Sequence, residues 1–440
     1  MAGGLGLTLD TAEQTLLNTQ TELQVSSNNI SNASNTWYAL EVADQTDNPD
    51  VQTISGWIGA GASVTQITQV RNQYIEGQLM NANSDYSQYS KLYSQLQAIQ
   101  SAASDSGSTG ITDALGTFFD SWDTLSQDPS DLSSQSAVYS AAQNLASTIQ
   151  STYSNLNEIA TNDIPNAIQD TVTQANTLID QIASLNTEIV QAQAEAGGKE
   201  ANGLIDQRYQ ALDSLSQLIP VSFTTGANGM VTVTTNETGG PATIVSGGTG
   251  THISTSSAIT GGQFGGLLTA QTDLSGYMTD FNTFTASLVS QVNSLYTANG
   301  GSDVFSDTTG SEASTITASD TFLSGQSTED LNSAATNISN LQNTEVTFSD
   351  GTKSTLQSYL SNIQEDIGND TQTADTNSSY SQALQTQLQD QQQSVSGVSI
   401  DQEMVNIIQY QQIYEAAAKV VTTASTLMGT AISMVGSGAA

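Results

Sequence analysis

His252 is the chain's only histidine and there is no cysteine. Nucleophile–base or zinc chemistry would therefore hang on one imidazole in the segment GGTGTHISTSS. A histidine among small flexible residues reads as an exposed loop side chain. Asp44, Asp47, Asn48 and Asp50 offer oxygen ligands of the kind calcium takes. They lack the spacing, central glycine and closing glutamate of a calcium loop, and read as a solvated turn. The glycine pairs Gly239-Gly240, Gly247-Gly248 and Gly265-Gly266 have no Lys-Ser/Thr or dinucleotide pattern after them and read as turns. Nor does any segment single out the cleft-bound carboxylate pair that glycoside hydrolysis needs. No catalytic residue, metal ligand or cofactor site is expected. Arg208, in LIDQRYQ, is one of two arginines. A planar guanidinium suits a structural tie, with Asp206, Asp213 or helix carbonyls as candidate partners.

With no catalytic constellation to position, the informative patterns are those that make surfaces. Leu9, Leu16, Leu23 and Ile30 recur every seven residues, with Ala12 between, so 8–31 reads as a helix with one apolar face. At the other end Ile400, Met404, Ile407, Gln411, Tyr414, Ala418, Val421, Ser425, Met428, Ile432 and Val435 alternate steps of four and three. All but Gln411 and Ser425 are apolar, which makes this the strongest pattern in the chain. A continuous helix there would be roughly 54 Å long at 1.5 Å per residue. The apolar members of both series are the candidate assembly interface, because heptad patterns at the two extremes of a chain suit packing between subunits as well as within one.

Between the ends, helical periodicity covers 73–103, 136–160, 164–196, where Gly197-Gly198 stops it, and 264–297. A glutamine-rich helix follows over 354–393. After Pro220 the period becomes two through Val221, Phe223, Val231 and Val233, giving short strands with glycine turns. Residues 299–352, rich in Gly, Ser, Thr and Asp, read as a small β-rich outer insertion. The expected fold is mainly α with a smaller β part. Residues 1–40 and 396–440 form a paired, coiled-coil-like terminal domain. Residues 41–298 and 353–395 form an elongated helical-bundle domain with short strands near 221–260, and 299–352 is the third part.

The chain has 440 residues, room for two or three domains. Its 43 Asp and Glu face 6 Lys and Arg, for a formal net charge of -37. Phosphate backbones and anionic membranes are gripped by clustered bases, so nucleic-acid and anionic-lipid binding are disfavoured. No stretch approaches a transmembrane span, so no membrane insertion is expected. The start MAGGLGLTLDTAEQTLLN lacks the basic and apolar regions of a cleaved signal peptide. An extracellular location would then require a different export route.

Two segments carry a family likeness. Asn28-Asn29-Ile30-Ser31-Asn32-Ala33-Ser34-Asn35-Thr36 resembles the signature near the start of bacterial flagellar rod, hook and hook-associated proteins. Ser396 to Met404, continued by Gln409 to Val420, is similar to their C-terminal helix. The likeness to the hook-associated branch extends through 56–67, 115–129, 182–189, 202–221 and 261–268, covering nearly everything outside 299–352. The resemblance implies a structural subunit at the hook–filament junction, exported through the flagellum's own type III channel. Its implied partners are further copies of the chain in a ring-like assembly, the hook protein, the next hook-associated junction protein, and an export chaperone on the C-terminal helix. A hook or rod subunit is the alternative within the family, and a surface adhesin is the alternative outside it. The family commonly has glycine before the tyrosine that follows the first helix. Here Trp37 precedes Tyr38, so a turn needing positive φ is not expected.

Scarcity of bases implies tolerance of acid. Once the carboxylates protonate, only 7 positive side chains remain (6 Lys and Arg plus His252) and self-repulsion is small. Helical circular dichroism should persist at about pH 3. Cooperative loss of helix between about pH 5 and 4 would contradict this.

Overall fold

The computed structural model describes residues 2–53, 56–104 and 110–436. Helix α1 (Ala2–Asn32) leads into a long hairpin, β1 (Glu41–Asp47) with β4 (Ala62–Gln69), which carries the shorter pair β2 (Val51–Thr53) and β3 (Gly56–Ile58) at its far end. Five helices follow: α2 (Gln73–Ala103), α3 (Ile111–Gln127), α4 (Leu132–Glu158), α5 (Ile164–Glu195) and α6 (Asn202–Leu218). A four-stranded antiparallel meander comes next, β5 (Val221–Thr225), β6 (Val231–Glu237), β7 (Gly240–Ser246) and β8 (Thr249–Gly250). Then come α7 (Gly262–Thr297), β9 (Phe305–Ser306), α8 (Glu312–Thr315), β10 (Thr317–Ala318), α9 (Thr328–Leu341), β11 (Val346–Thr347), β12 (Lys353–Ser354), α10 (Leu356–Ser396) and α11 (Ile400–Gly436). The protein is mainly α with a smaller β part, as its periodicities imply.

Contacts divide the chain into two compact units, each discontinuous in sequence. One comprises 1–84, 174–259 and 382–440; the other comprises 85–173 and 260–381. This differs from the three-part division expected from sequence. Those cuts were placed at loops, whereas the boundaries fall inside α2, α5 and α10, since one long helix can serve different cores with different stretches of its length.

In the second unit the core is aromatic. Phe118 and Trp122 of α3 meet edge to face at 6.1 Å, and Trp122 meets Tyr296 of α7 at 5.5 Å and Phe322 at 6.0 Å. All four rings are fully buried. The Tyr296 hydroxyl donates to the Phe322 carbonyl at 2.9 Å, giving its polar end a partner inside the core. Asn293 of α7 accepts from the amides of Val304 and Phe305 and donates to the Phe305 carbonyl. Residues 299–352 are thereby fastened into this unit. They do not form the expected β-rich outer insertion: α9 is their largest element and their strands are two residues long. Phe305 and Phe322 stand too far apart along the chain to show a period, yet with Leu331 and Ile338 on one face of α9 they close the core over α3. The 17-residue helix α3 was not among the expected helices, although Ile111, Phe118 and Leu125 recur every seven residues along it and are all buried.

Gly265 and Gly266 are helical, in the first turns of α7, and are not the turn expected of them. A Cβ at Gly266 would lie 2.3 Å from the Gln88 carbonyl, so its absence lets α7 touch the α2 backbone. Between α4 and α5 the chain stays helical through a π turn over Ile159–Asp163. Pro165, which cannot donate, follows directly in the first turn of α5.

The aromatic closure predicts that Phe322→Ala lowers unfolding stability by about 3–5 kcal/mol in denaturant titrations, as for other buried Phe truncations. Truncation of the exposed Tyr380 should be neutral within about 0.5 kcal/mol. A neutral Phe322 variant would mean the 299–352 segment is peripheral.

Candidate assembly joint

In the first unit the two ends of the chain pack against each other. Residues 4–15 of α1 border a groove with Ile413–Val420 of α11, and residues 22–29 border one with Gln402–Tyr410, so the helices run antiparallel. The α1 seam is Ala12, Thr19 and Ser26, seven apart, with Asn18, Val25 and Asn29 beside it, all buried. On α11 it is Glu403, Ala417 and Ala424, with half-buried Tyr410 completing the same line. Small side chains let helices approach closely. Thr11, Thr15 and Thr19 bond back to the carbonyl four residues earlier, which satisfies hydroxyls that face a neighbouring helix.

The expected interface residues divide three ways. Leu9, Leu16, Leu23 and Ile30 are half-buried and flank the seam without forming it. Ile407, Ala418, Val421 and Met428 are also half-buried. Ile400, Met404, Tyr414 and Ile432 are exposed; for Met404 and Ile432 the reason is that the buried line runs through 403, 410, 417 and 424, one residue earlier than the apolar count suggested. The side chain of Val435 lies outside the described residues. Counting apolar residues finds the widest apolar stripe, but close approach selects the smallest side chains.

The two signature segments meet at one corner. Asn29, 1% exposed, accepts from the Tyr38 hydroxyl at 2.7 Å and the Glu41 amide at 3.0 Å, and donates to the Glu41 carbonyl at 3.0 Å. One side chain thus fixes the exit from α1 and the start of β1. Burial, then the Glu41 charge, pushes the Tyr38 hydroxyl's pKa up, so it remains a donor. The Leu40 amide donates to the Ser396 carbonyl at the end of α10, joining N-terminal to C-terminal signature. No non-glycine residue among those described has positive φ, so the turn at Trp37 uses ordinary backbone. Asn35 supports it instead, accepting from the amides of Trp37 and Tyr38.

Arg71 ties this corner to the rest of the unit, and sequence reasoning missed it. Its guanidinium contacts Glu76 at 3.2 Å and Asp206 at 2.6 Å, donates to the Trp37 carbonyl at 2.6 Å, and lies 4.3 Å from the Tyr209 ring centre. Being one of two arginines beside a strand end was the available signal. Burial pushes the Asp206 carboxyl's pKa up against the opposing pull of Arg71.

Arg208 is buried, but neither Asp206 nor Asp213 is its partner. Nη1 donates to Asn186 Oδ1 at 3.0 Å and to the Gly229 carbonyl at 2.8 Å, and Nε has no partner. Asn186 also donates to the carbonyls of Val231 and Gly247, so the pair binds α5 and α6 to the sheet. Asp206 is two residues from Arg208, where helical side chains point apart, and it belongs to Arg71. Asp213 accepts from Asn83 and, at 3.1 Å, from Gln217, with no cation beside it. Burial pushes its carboxyl up to about 6.

His252 is exposed and pairs with Asp180 at 2.9 Å. Asp44 accepts from Thr68 and Gln66, and Asn48 is bonded to Ala60 and Ser63, so these side chains are spent along the hairpin. Among the described residues no group of three or more carboxylate or imidazole side chains is placed to hold a metal ion. No described helix is long and apolar enough to cross a membrane.

A long hairpin follows the first helix, the terminal helices pair, and the helices carry a small sheet. Known flagellar proteins are similar to this chain. Residues 96–257 match the model of the flagellar hook-associated protein FlgK helical domain, and 390–434 match that of the flagellar basal body rod FlgEFG protein C-terminal region. The chain is 25% identical to flagellar hook-associated protein 1 of Bacillus subtilis, over 98% of both chains. It is 27% identical to the Salmonella typhimurium protein of the same name, over 49% of this chain and 38% of that one. The flagellar hook junction protein FlgK from Burkholderia pseudomallei aligns with a TM-score of 0.46 at 25% identity, over 53% of this chain and 47% of that one. The chain is thus similar to flagellar hook-associated and rod proteins over residues 96–257 and 390–434.

Asp213 gives this unit a pH dependence. Its folded pKa lies above the usual carboxylate value of 3.8, so the folded state binds the proton more tightly than the unfolded chain does. Its share of the stability therefore rises as pH falls from about 7 to about 4. The urea midpoint should climb over that window, by a difference of about 1–3 kcal/mol, and Asp213→Asn should flatten the climb. A wild-type midpoint that falls steadily from pH 7 to 5 would contradict the assignment.

Proposed function

We propose that this chain is the structural adaptor at the hook–filament junction of a bacterial flagellum, exported through the flagellum's own channel and assembled outside the cell through its terminal helices. Its role is geometric, holding axial contacts on both sides of a ring, and needs no catalysis or cofactor. Its partners in this reading are further copies of itself, the hook protein, the next junction protein, and an export chaperone on the C-terminal helix.

One observation carries the reading. With α1 on one face, α11 leaves Ile413, Val420, Leu427 and Met434 exposed at seven-residue intervals. That is a second heptad line, covered only in part where Ile413 and Val420 border the α1 groove. It lies in a region unlike the rest, because residues 416–440 contain no Asp or Glu in a chain of net charge -37. Like-charge repulsion between copies is weakest there. Ile400, Met404 and Ile432 are further exposed apolar side chains of α11, off this line. In this reading the half-buried leucines of α1 complete the interface once a neighbour arrives, and Arg208 is a structural tie within the subunit.

Val420→Asp with Leu427→Asp should leave the far-ultraviolet spectrum and melting temperature unchanged while abolishing incorporation at hook ends. Cells carrying that chain should show hooks without filaments and secrete flagellin monomers. Normal filaments would remove the exposed line as the joint. Loss of binding to a host glycan with normal filaments would favour the adhesin reading.

A further inference from the structure

Glu403 is 6% exposed and has no cation within ion-pair distance. Its one hydrogen bond is a long one, from Asn406 Nδ2 at 3.5 Å. It lines a recess of about 210 Å³ between α1, β1 and α11, which also includes Glu22, Glu41, Asn406 and Tyr410. Glu41 is satisfied by Asn28 and Asn202, and Glu22 accepts from Gln45. Burial, above all, pushes the Glu22 carboxyl's pKa up, and burial, then the charges of Glu22 and Glu403, does the same to the Tyr410 hydroxyl. A buried carboxylate without a donor of matching strength marks a place for a cation.

The chain can supply that cation only from another copy. Lys419 is the only base in residues 1–40 and 396–440. It is exposed and in no ion pair among the described residues. On a continuous helix it stands 16 residues beyond Glu403, roughly 24 Å along the axis and about 160° around it. No rotamer spans that separation, so one subunit cannot close the pair. A neighbouring subunit displaced by roughly 24 Å along α11 presents its Lys419 at the required height.

We propose that the recess between α1, β1 and α11 receives the Lys419 ammonium of a second copy, placed against Glu403 and Glu22, and that this contact sets the axial stagger between neighbouring subunits. The proposal rests on self-assembly through the terminal helices. The apolar line supplies contact area but tolerates slippage by one heptad, whereas a single ion pair fixes one register.

The test uses the full-length chain at hook ends and the same chain as free monomer. Zero-length carbodiimide coupling followed by peptide mass spectrometry should yield a Lys419–Glu403 or Lys419–Glu22 link in the assembled fraction and none in the monomer. Lys419→Glu should weaken incorporation about tenfold, and adding Glu403→Lys should restore most of it. Should Glu403→Lys fail to fold by circular dichroism, Glu403→Gln serves instead, and Lys419→Gln should then have no further effect on it. If Lys419→Gln incorporates within about twofold of wild type and no such link forms, the ion pair is overturned while assembly stands. A Lys419 link to a different protein also overturns it. A wild-type chain that does not incorporate at all overturns the assembly reading and this proposal together.

Discussion

The close antiparallel contact between α1 and α11 is the constraint on which the rest of the first unit depends. Ala12, Thr19 and Ser26 meet a line containing Ala417 and Ala424, and this brings residues four hundred positions apart into contact. Everything between must leave from one end of that pair and return to it. The corner where it does so is secured by Asn29, by the Leu40–Ser396 backbone bond and by Arg71. Small seam residues have a second effect: they leave the larger apolar side chains of both helices around the rim, where a neighbour can cover them.

A chain with so few bases must satisfy its buried carboxylates by other means. Of its two arginines, Arg71 sits half-buried between two carboxylates and Arg208 is buried on an amide and a carbonyl. For the remaining acids, neutral donors take the place of cations: Asn83 and Gln217 on Asp213, the Tyr277 hydroxyl on Asp370, the Tyr359 hydroxyl on Asp350. Neutral donors stabilise a carboxylate less than an ion pair does, so burial wins and the Asp213 carboxyl's pKa rises. At Asp213 the lack of a base and the upward shift are therefore linked, and mild acid favours the folded state there. The same scarcity gives an unpaired lysine on an assembly helix unusual weight.

Much of this was legible in the amino-acid order. Long helices at both ends, the strands after Pro220, the shift from helical to alternating period and the two signature segments are properties of neighbouring residues, and local propensity with periodicity determines them. The likeness to flagellar axial proteins was legible for the same reason, since the segments that carry it are short and contiguous. Tertiary structure decided which faces are buried. Apolar stripes on α1 and α11 are wider than the seam they make, and only close approach singles out alanine, threonine and serine over leucine. It also decided that Arg208 serves Asn186 and Gly229, that Arg71 is the tie at the corner, and that 299–352 closes an aromatic core. Each of these depends on residues brought together across twenty to nearly four hundred positions of chain, and no local pattern encodes a distance of that kind.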